Sequence, residues 1–464
     1  MLTYNYENID GPLYEYIYKC IKEDILSGVL KAGEKLPSKR TFAQNNGIST
    51  ITIQNAYDQL ISEGYVYALE KKGYYVSNIR EMSMVRKQNS VHYDIKRPKE
   101  KKYIFDFTGN KMNSDNFPFS IWARLGREVL SDRKNDLMKS APGVGIFELR
   151  EAIASHLQSF RGMAVDPNQI VVGAGTEYLY SVLLQLLGRD KTYAIENPGY
   201  KKLQKIYGLY EVDTVYADMD ESGVLVDSLR DTGAQIAHIS PNHHFPTGIT
   251  MPASRRYEIL AWANSDSERY IIEDDYDSEF RRNGKPIPTL FSIDECEKVI
   301  YMNTFSKSLA STIRVSYMVL PVHLANLMYD KFSFISCTVS NFEQYILAEF
   351  IKKGYFEKHI NRMRLYYVRQ RKKVLACIDE SSLKNYCDIM ESESGLHFIL
   401  SLRTDISDDV MRKRLEDKGI NIHSLSEYYM TENEIREHQF LLDYTNINIE
   451  ELSQACECIY DCIS

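Results

Sequence analysis

The stretch Val299-Ile300-Tyr301-Met302-Asn303-Thr304-Phe305-Ser306-Lys307 decides how most of the chain is read. Its first six residues predict a buried strand. Lys307 then falls just past the carboxyl end of that strand, where open α/β sheets bind ligands. A lone lysine on a loop is ordinarily a surface residue. Here Thr304 and Ser306 flank it, and Arg314 follows. Hydroxyls and a guanidinium fork suit a phosphate dianion. A lysine beside them is placed to form a Schiff base with an aldehyde.

Working outward, Arg269-Tyr270-Ile271-Ile272-Glu273 predicts a second strand, which runs into Asp274-Asp275-Tyr276-Asp277. An aldehyde cofactor that also carries phosphate and a ring nitrogen is pyridoxal 5'-phosphate. Its nitrogen needs a carboxylate so that the ring stays protonated and can act as an electron sink. Asp274 is the residue expected there, with Tyr276 donating to the ring hydroxyl. The other acids of the run are expected to be solvated or structural. A third strand, Ile170-Val171-Val172, leads through Gly173-Ala174-Gly175-Thr176 into the apolar helix Tyr178 to Leu187. That turn brings backbone N–H groups to an anion at a helix N-terminus, with Gly175 and Thr176 nearest it. Many strand-helix turns carry glycine, so this signal is weak alone. Tyr200, in Pro198-Gly199-Tyr200, is an aromatic placed to stack on the ring, although such a tyrosine is more often core.

The rest of the chain from residue 104 to the end alternates apolar strands with amphipathic helices. That pattern predicts an α/β domain with a mainly parallel sheet. Its large part is expected over about 150–330 and its small part over about 104–149 and 331–464. Residues 80–103 contain Arg86-Lys87-Gln88-Asn89-Ser90 and Lys96-Arg97-Pro98-Lys99-Glu100-Lys101-Lys102, and read as an exposed linker.

Residues 1–79 carry a different pattern. Leu13, Ile17, Cys20, Ile21 and Ile25 fall at helical spacing, and Gly28 ends the run. Ser38 is an N-cap for a second short helix, which Gly47 breaks. Ser49 opens a third, whose stripe Ile53, Ala56, Tyr57 and Leu60 turns inward. Two β-prone runs, Tyr65 to Leu69 and Tyr74 to Val76, flank the turn Lys71-Lys72-Gly73. Three helices and a hairpin make a winged helix-turn-helix, whose third helix enters the major groove. Thr50, Thr52, Gln54 and Asn55 are then the outward candidates, the amides suited to adenine and the hydroxyls mostly to phosphate or to either base. Ser38, Lys39, Arg40, Ser49, Lys71 and Lys72 are candidates for backbone phosphate contacts. The competing reading is a small helical domain with solvated lysines.

Bulk properties narrow the classes. The chain has 464 residues and a net charge of −8, so it is no basic nucleic-acid coat, and DNA binding must come from a local patch. No run of about 18 apolar residues predicts a membrane span. Met1 to Asp10 is polar and acidic, unlike a signal peptide. Cys456, Cys458 and Cys462 cluster among the 8 cysteines, but without zinc-site spacing. Reduced thiols in a cytoplasmic protein, with no metal, are expected.

The string Gly28-Val29-Leu30-Lys31-Ala32-Gly33-Glu34-Lys35-Leu36-Pro37-Ser38-Lys39-Arg40 supports a more specific reading. With Pro12-Leu13-Tyr14, Ala56-Tyr57-Asp58-Gln59-Leu60 and Glu63-Gly64-Tyr65, it closely resembles the GntR family of bacterial repressors. Pro142-Gly143-Val144-Gly145, Leu149-Arg150, Arg161-Gly162, Pro246-Thr247-Gly248 and Gly395-Leu396-His397 join the lysine and aspartate motifs. Together these resemble fold-type-I aminotransferases. A GntR-like head fused to such a domain resembles the MocR family of regulators, including those of the pyridoxine pathway. The resemblance implies pyridoxal phosphate held on Lys307, a double-stranded DNA operator and a homodimer. It also implies a domain that senses the cofactor, or a small amine or amino-acid effector, rather than turning over substrate.

Three departures in the large domain and one in the head bear on that function. Leu441 stands where aminotransferases carry the Arg that grips a substrate carboxylate, and Phe245 where they carry the Asn that binds the ring hydroxyl. Met138 and Lys139 stand where a Tyr reaches the partner subunit's phosphate. In the head, Thr50 replaces the family's Arg. Intact cofactor residues beside a missing clamp favour a sensor of pyridoxal phosphate itself, acting on vitamin B6 genes. The alternatives are an aminotransferase with a regulatory DNA-binding head, and an interaction protein that retains a relic cofactor fold.

Overall fold

The computed structural model describes residues 4, 11–79, 101–109, 113–281, 287–390, 395–431 and 435–463. The chain divides into two compact units, Met1–Glu100 and Lys101–Ser464.

In the first unit, α1 (Leu13–Ser27), α2 (Lys39–Asn46) and α3 (Thr50–Ser62) precede the antiparallel hairpin β1 (Val66–Leu69) and β2 (Gly73–Val76). Local chemistry sets each boundary. The Ser38 side chain accepts from Thr41 N at 3.1 Å and opens α2. The Ser49 side chain accepts from Ile51 N at 3.2 Å and opens α3. Gly28 and Gly47 close α1 and α2 at φ 82° and 65°, where a side chain would strain the backbone. The stripe Ile53, Ala56, Tyr57 and Leu60 is fully buried with Ile17, Ile21 and Phe42 in one core. Tyr57 spans the turn by donating to Pro37 O at 3.0 Å.

The second unit opens with the short strand β3 (Phe105–Asp106) and is built on an eight-stranded sheet. Its strands are β4 (Ile170–Gly173), β5 (Tyr193–Asn197), β6 (Thr214–Asp220), β7 (Gly223–Val224), β8 (Ile236–Ile239), β9 (Tyr270–Asp274), β10 (Val299–Thr304) and β11 (Ser316–Val319). They lie in the order β4-β11-β10-β9-β8-β5-β6-β7. The run from β10 to β6 is parallel, and β11 is antiparallel to both its neighbours. Both faces are buried. Ile170 and Val172 enter one apolar core while Val171 enters another, and Tyr301 and Met302 divide in the same way. This is why the strands read as continuous apolar runs rather than alternating ones.

A four-stranded antiparallel sheet is formed by Cys387–Met390, His397–Leu402, Gln439–Asp443 and His423–Ser424, in that order. Phe105–Asp106 pairs in parallel with Ile420–Asn421. Of the residues expected to form a linker, 80–100 lie outside the described residues. Lys101 and Tyr103 both bond Glu416 in the second unit. The eight cysteines are free thiols, and Cys456 and Cys462 face inward from the helix Ile449–Ile463. Among the described residues, no helix is long and apolar enough to cross a membrane, and no His/Cys/Asp/Glu group is placed to hold a metal.

Candidate functional site

Strand register builds the site. Met302 of β10 pairs with Asp274 of β9, so the carboxyl ends of the two strands lie level. Asp274 and the segment Thr304–Lys307 therefore reach the same edge of the sheet. Thr176, Tyr200, Asp274, Tyr276, Thr304, Ser306, Lys307 and Arg314 all line one cavity of about 410 Å³. Of the nine cofactor residues expected from sequence, only Gly175 does not line it. Gly175 caps the helix Thr176–Leu187 at φ 91°, and a Cβ there would collide with the Arg314 guanidinium. Its bare backbone is what lets Arg314 approach the helix N-terminus.

Thr304 accepts from Ser306 N at 3.1 Å and from Ser316 Oγ at 2.8 Å, so it is a buried residue that orients Ser306. Ser306 Oγ is buried without a hydrogen-bonding partner. Arg314 Nη2 donates to Glu177 Oε2 at 2.6 Å, and Lys202 also pairs with Glu177. These cations hold the Glu177 carboxyl down at about 2 against the upward push of burial. Asp274 receives Tyr180 OH on Oδ2 at 2.8 Å, with His238 Nε2 at 3.7 Å, while Oδ1 is buried without a partner. His238 is itself oriented by Tyr207, 2.7 Å from Nδ1.

These atoms fit pyridoxal phosphate. The free Asp274 oxygen is the acceptor that a protonated ring nitrogen needs. Ser306 Oγ, Thr176 and Arg314, gathered at a helix N-terminus, suit the phosphate.

Tyr276 faces the cavity, and its OH lies 3.0 Å from His243 Nδ1, which is also 2.8 Å from Asp277. The acids beside Asp274 are buried and structural, not solvated. Glu273 accepts from Leu290 N and Phe291 N. Asp275 takes Arg161, Ser278 and Tyr301. Tyr200 is 44% exposed at the cavity rim, edge-on to Phe245.

Sequence reasoning missed Tyr180, His238, Glu196, His397 and Asp443, all of which line the cavity. Tyr180 had a signal. It is four residues after Thr176 and so lies on the same helix face. His238 sits near the carboxyl end of β8, the strand adjoining β9. Asp443 comes from the other sheet, 136 positions beyond Lys307 (443 − 307), and no local pattern marks it. Glu196 accepts from Ser240 N at 2.9 Å, and burial pushes its carboxyl up to about 8. His244 lies 3.5 Å away, and burial holds it neutral at about 3. Leu441 is buried beside Phe245 and Tyr428. Lys139 bonds Asp136 at 2.8 Å.

In the first unit, Thr50, Gln54 and Asn55 are exposed on α3, as are Arg40, Lys71 and Lys72 elsewhere in the head. Two expectations change. Thr52 is half-buried. Lys39 is half-buried as well, lying 3.8 Å from Asp58 and over the Tyr74 ring. Ser38 and Ser49 are exposed and each spends an oxygen lone pair on its helix cap, and the Ser38 hydroxyl also lies 2.7 Å from Thr41 Oγ1.

Comparison with known proteins agrees with both units. Residues 104–459 match the aminotransferase class I and II family, and residues 13–76 match the bacterial regulatory proteins of the gntR family. The chain is 34% identical to the uncharacterized HTH-type transcriptional regulator YdeL of Bacillus subtilis, over 91% of this chain and 90% of that one. It is 28% identical to the HTH-type pyridoxine biosynthesis transcriptional regulator PdxR of Corynebacterium glutamicum, over 88% and 87%. A multiple substrate aminotransferase from Thermococcus profundus shares the fold at 22% identity and TM-score 0.69, over 79% and 92%. The chain is thus a regulator with a gntR-type head and an aminotransferase-like domain. It belongs to the MocR family of transcriptional regulators.

Proposed function

We propose that this regulator binds pyridoxal phosphate on Lys307 and converts occupancy of that cavity, by the cofactor or by a small amine partner, into a change in operator binding. One observation carries the reading. The groups suited to the cofactor all line a single cavity, in which Leu441 and Phe245 supply an apolar wall. Bound there, the cofactor supplies an electrophilic carbon and an electron-withdrawing ring. Lys307 offers its Nζ as the covalent attachment point. Asp274, steadied by Tyr180 and His238, holds the ring nitrogen's proton. Thr176, Ser306 and Arg314 hold the phosphate, and Gly175 keeps space for the guanidinium. Leu441 offers no charge to a substrate carboxylate, which favours sensing over amino-acid turnover.

The chain acts in the cytoplasm as a homodimer that presents two heads to two operator half-sites, the arrangement that helix-turn-helix regulators commonly use. Similarity to the regulator of pyridoxine biosynthesis supports vitamin B6 genes as targets. Footprinting upstream of the protein's own gene, titrated with pyridoxal phosphate, tests the reading. Protection should change with cofactor concentration, and Lys307→Ala should abolish the change while leaving basal protection. Protection indifferent to cofactor would overturn it. Rapid loss of the bound chromophore with an amino-acid donor would instead favour an aminotransferase with a regulatory head.

A further inference from the structure

One wall of the same cavity pairs two chemistries. Leu441 and Asp443 are two residues apart on one strand, so their side chains leave the same face about 7 Å apart. Both line the cavity. Leu441 packs with Ile399 and Leu425, and Phe245 and Tyr428 complete the apolar wall with rings edge-on at 5.2 Å. Asp443 is firmly held. Its backbone N–H donates to Phe107 O at 3.1 Å, and its Oδ1 accepts from Thr445 N at 2.8 Å. Its Oδ2 lies against Gly109, where a Cβ would collide with it, so the backbone has been cleared for this carboxylate.

Burial pushes the Asp443 carboxyl up, and Lys307, the lysine that the cofactor would occupy, is the cation that opposes this. The other cations that line the cavity are mostly committed elsewhere. Arg314 and Lys202 both pair with Glu177. His423 pairs with Glu427 at 3.2 Å. His397 is held neutral at about 3 by burial and lies 2.9 Å from Pro246 O. A ligand carboxylate would therefore meet an apolar wall and a second acidic group. A ligand ammonium would instead supply the positive charge that favours the ionised form of a buried carboxyl.

We infer that this wall of the cavity receives a primary amine bearing an apolar group and no carboxylate. Asp443 meets the ammonium, and Leu441, Phe245 and Tyr428 cover the hydrocarbon. The inference rests on the reading above, that Lys307 carries pyridoxal phosphate, and names the amine class that shares its cavity. Lys201, which also lines the cavity, is the residue through which an amino acid would compete.

Calorimetric titration of the full chain, saturated with pyridoxal phosphate, separates the two classes. The probes are matched pairs that differ only by a carboxylate: 2-phenylethylamine against phenylalanine, and 3-methylbutylamine against leucine. The amine of each pair should bind at least about ten-fold tighter. Asp443→Asn, which keeps the shape and removes the charge, should weaken amine binding by about ten- to a hundred-fold. Leu441→Arg should reverse the preference within each pair. Cofactor absorbance retained in both variants shows that they are folded, and the wild-type pairs decide the question if they are not. Amino acids binding as tightly as their amines, or losing affinity in Lys201→Ala, would overturn the inference while leaving cofactor sensing intact. Failure of Lys307 to take up pyridoxal phosphate would overturn the parent reading and this inference together.

Discussion

At the scale of the residue, Asp274 and Glu196 show how burial sets chemistry. Asp274 keeps one oxygen bonded to Tyr180 and the other free and buried. Asp274→Asn should weaken pyridoxal phosphate binding by about ten- to a hundred-fold, the worth of a charge-assisted hydrogen bond, measured by cofactor fluorescence. Glu196 presents the opposite case, because burial raises its carboxyl to about 8. Between the ordinary glutamate range and about pH 8, the unfolded chain has lost this proton while the folded chain keeps it. Stability therefore falls as pH rises through that window, by about 1.4 kcal/mol per pH unit at most from this group. Glu196→Gln should remove that slope. Its melting temperature should exceed that of the wild type at pH 8, with little difference at pH 5. A gap that widens toward acid would contradict this assignment.

At the scale of the element, α3 and the hairpin divide the work of DNA recognition. Gln54 and Asn55 are exposed one turn in from the N-terminus of α3, whereas Lys71 and Lys72 are exposed at the hairpin tip. Lys71 adopts a left-handed φ of 57°, which puts the tip residues beyond the last ladder pair, Leu69 with Gly73. Gln54→Ala or Asn55→Ala should cost about 1–3 kcal/mol on the cognate operator and relax preference at one base pair. The Lys71→Ala, Lys72→Ala double variant should weaken all sequences alike and lower the salt slope by about two. Mobility-shift titrations at several salt concentrations distinguish the two effects. Lys39, shared between Asp58 and Tyr74, should contribute less than Arg40.

At the scale of the whole molecule, the head has its own core around Ile17, Ile53 and Tyr57, while the second unit's cores gather around its large sheet. Calorimetry should show two transitions. A ligand that binds only the folded second unit adds about 2.7 kcal/mol at a hundred times its Kd. Pyridoxal phosphate should therefore raise one transition and leave the other in place, and Lys307→Ala should largely cancel the rise. Operator DNA should raise the other. A single transition displaced by either ligand would show that the units unfold together.

The head was readable almost residue by residue, because capping serines, αL glycines and the Ile53–Leu60 stripe act within a few positions of one another. The places of Lys307 and Asp274 at the edge of the sheet were readable for a similar reason, since one follows and the other ends an apolar strand, where parallel sheets expose their ligand edge. What lies beyond that edge was not. Whether the acids next to Asp274 faced water or the core depended on Arg161, Asn242, Tyr301 and the 290–291 backbone, which arrive from distant positions. Thr52 and Lys39 needed the packing of the whole head before their partial burial was evident. Asp443 is the clearest case. Sequence marked its neighbour Leu441 as a lost charge, but only the pairing of Gln439–Asp443 with His397–Leu402 and the closeness of Gly109 show a carboxylate in the cavity. Local hydrogen bonding and periodicity are written in adjacent residues, whereas the charge balance of a cavity depends on which distant strands the tertiary fold brings together.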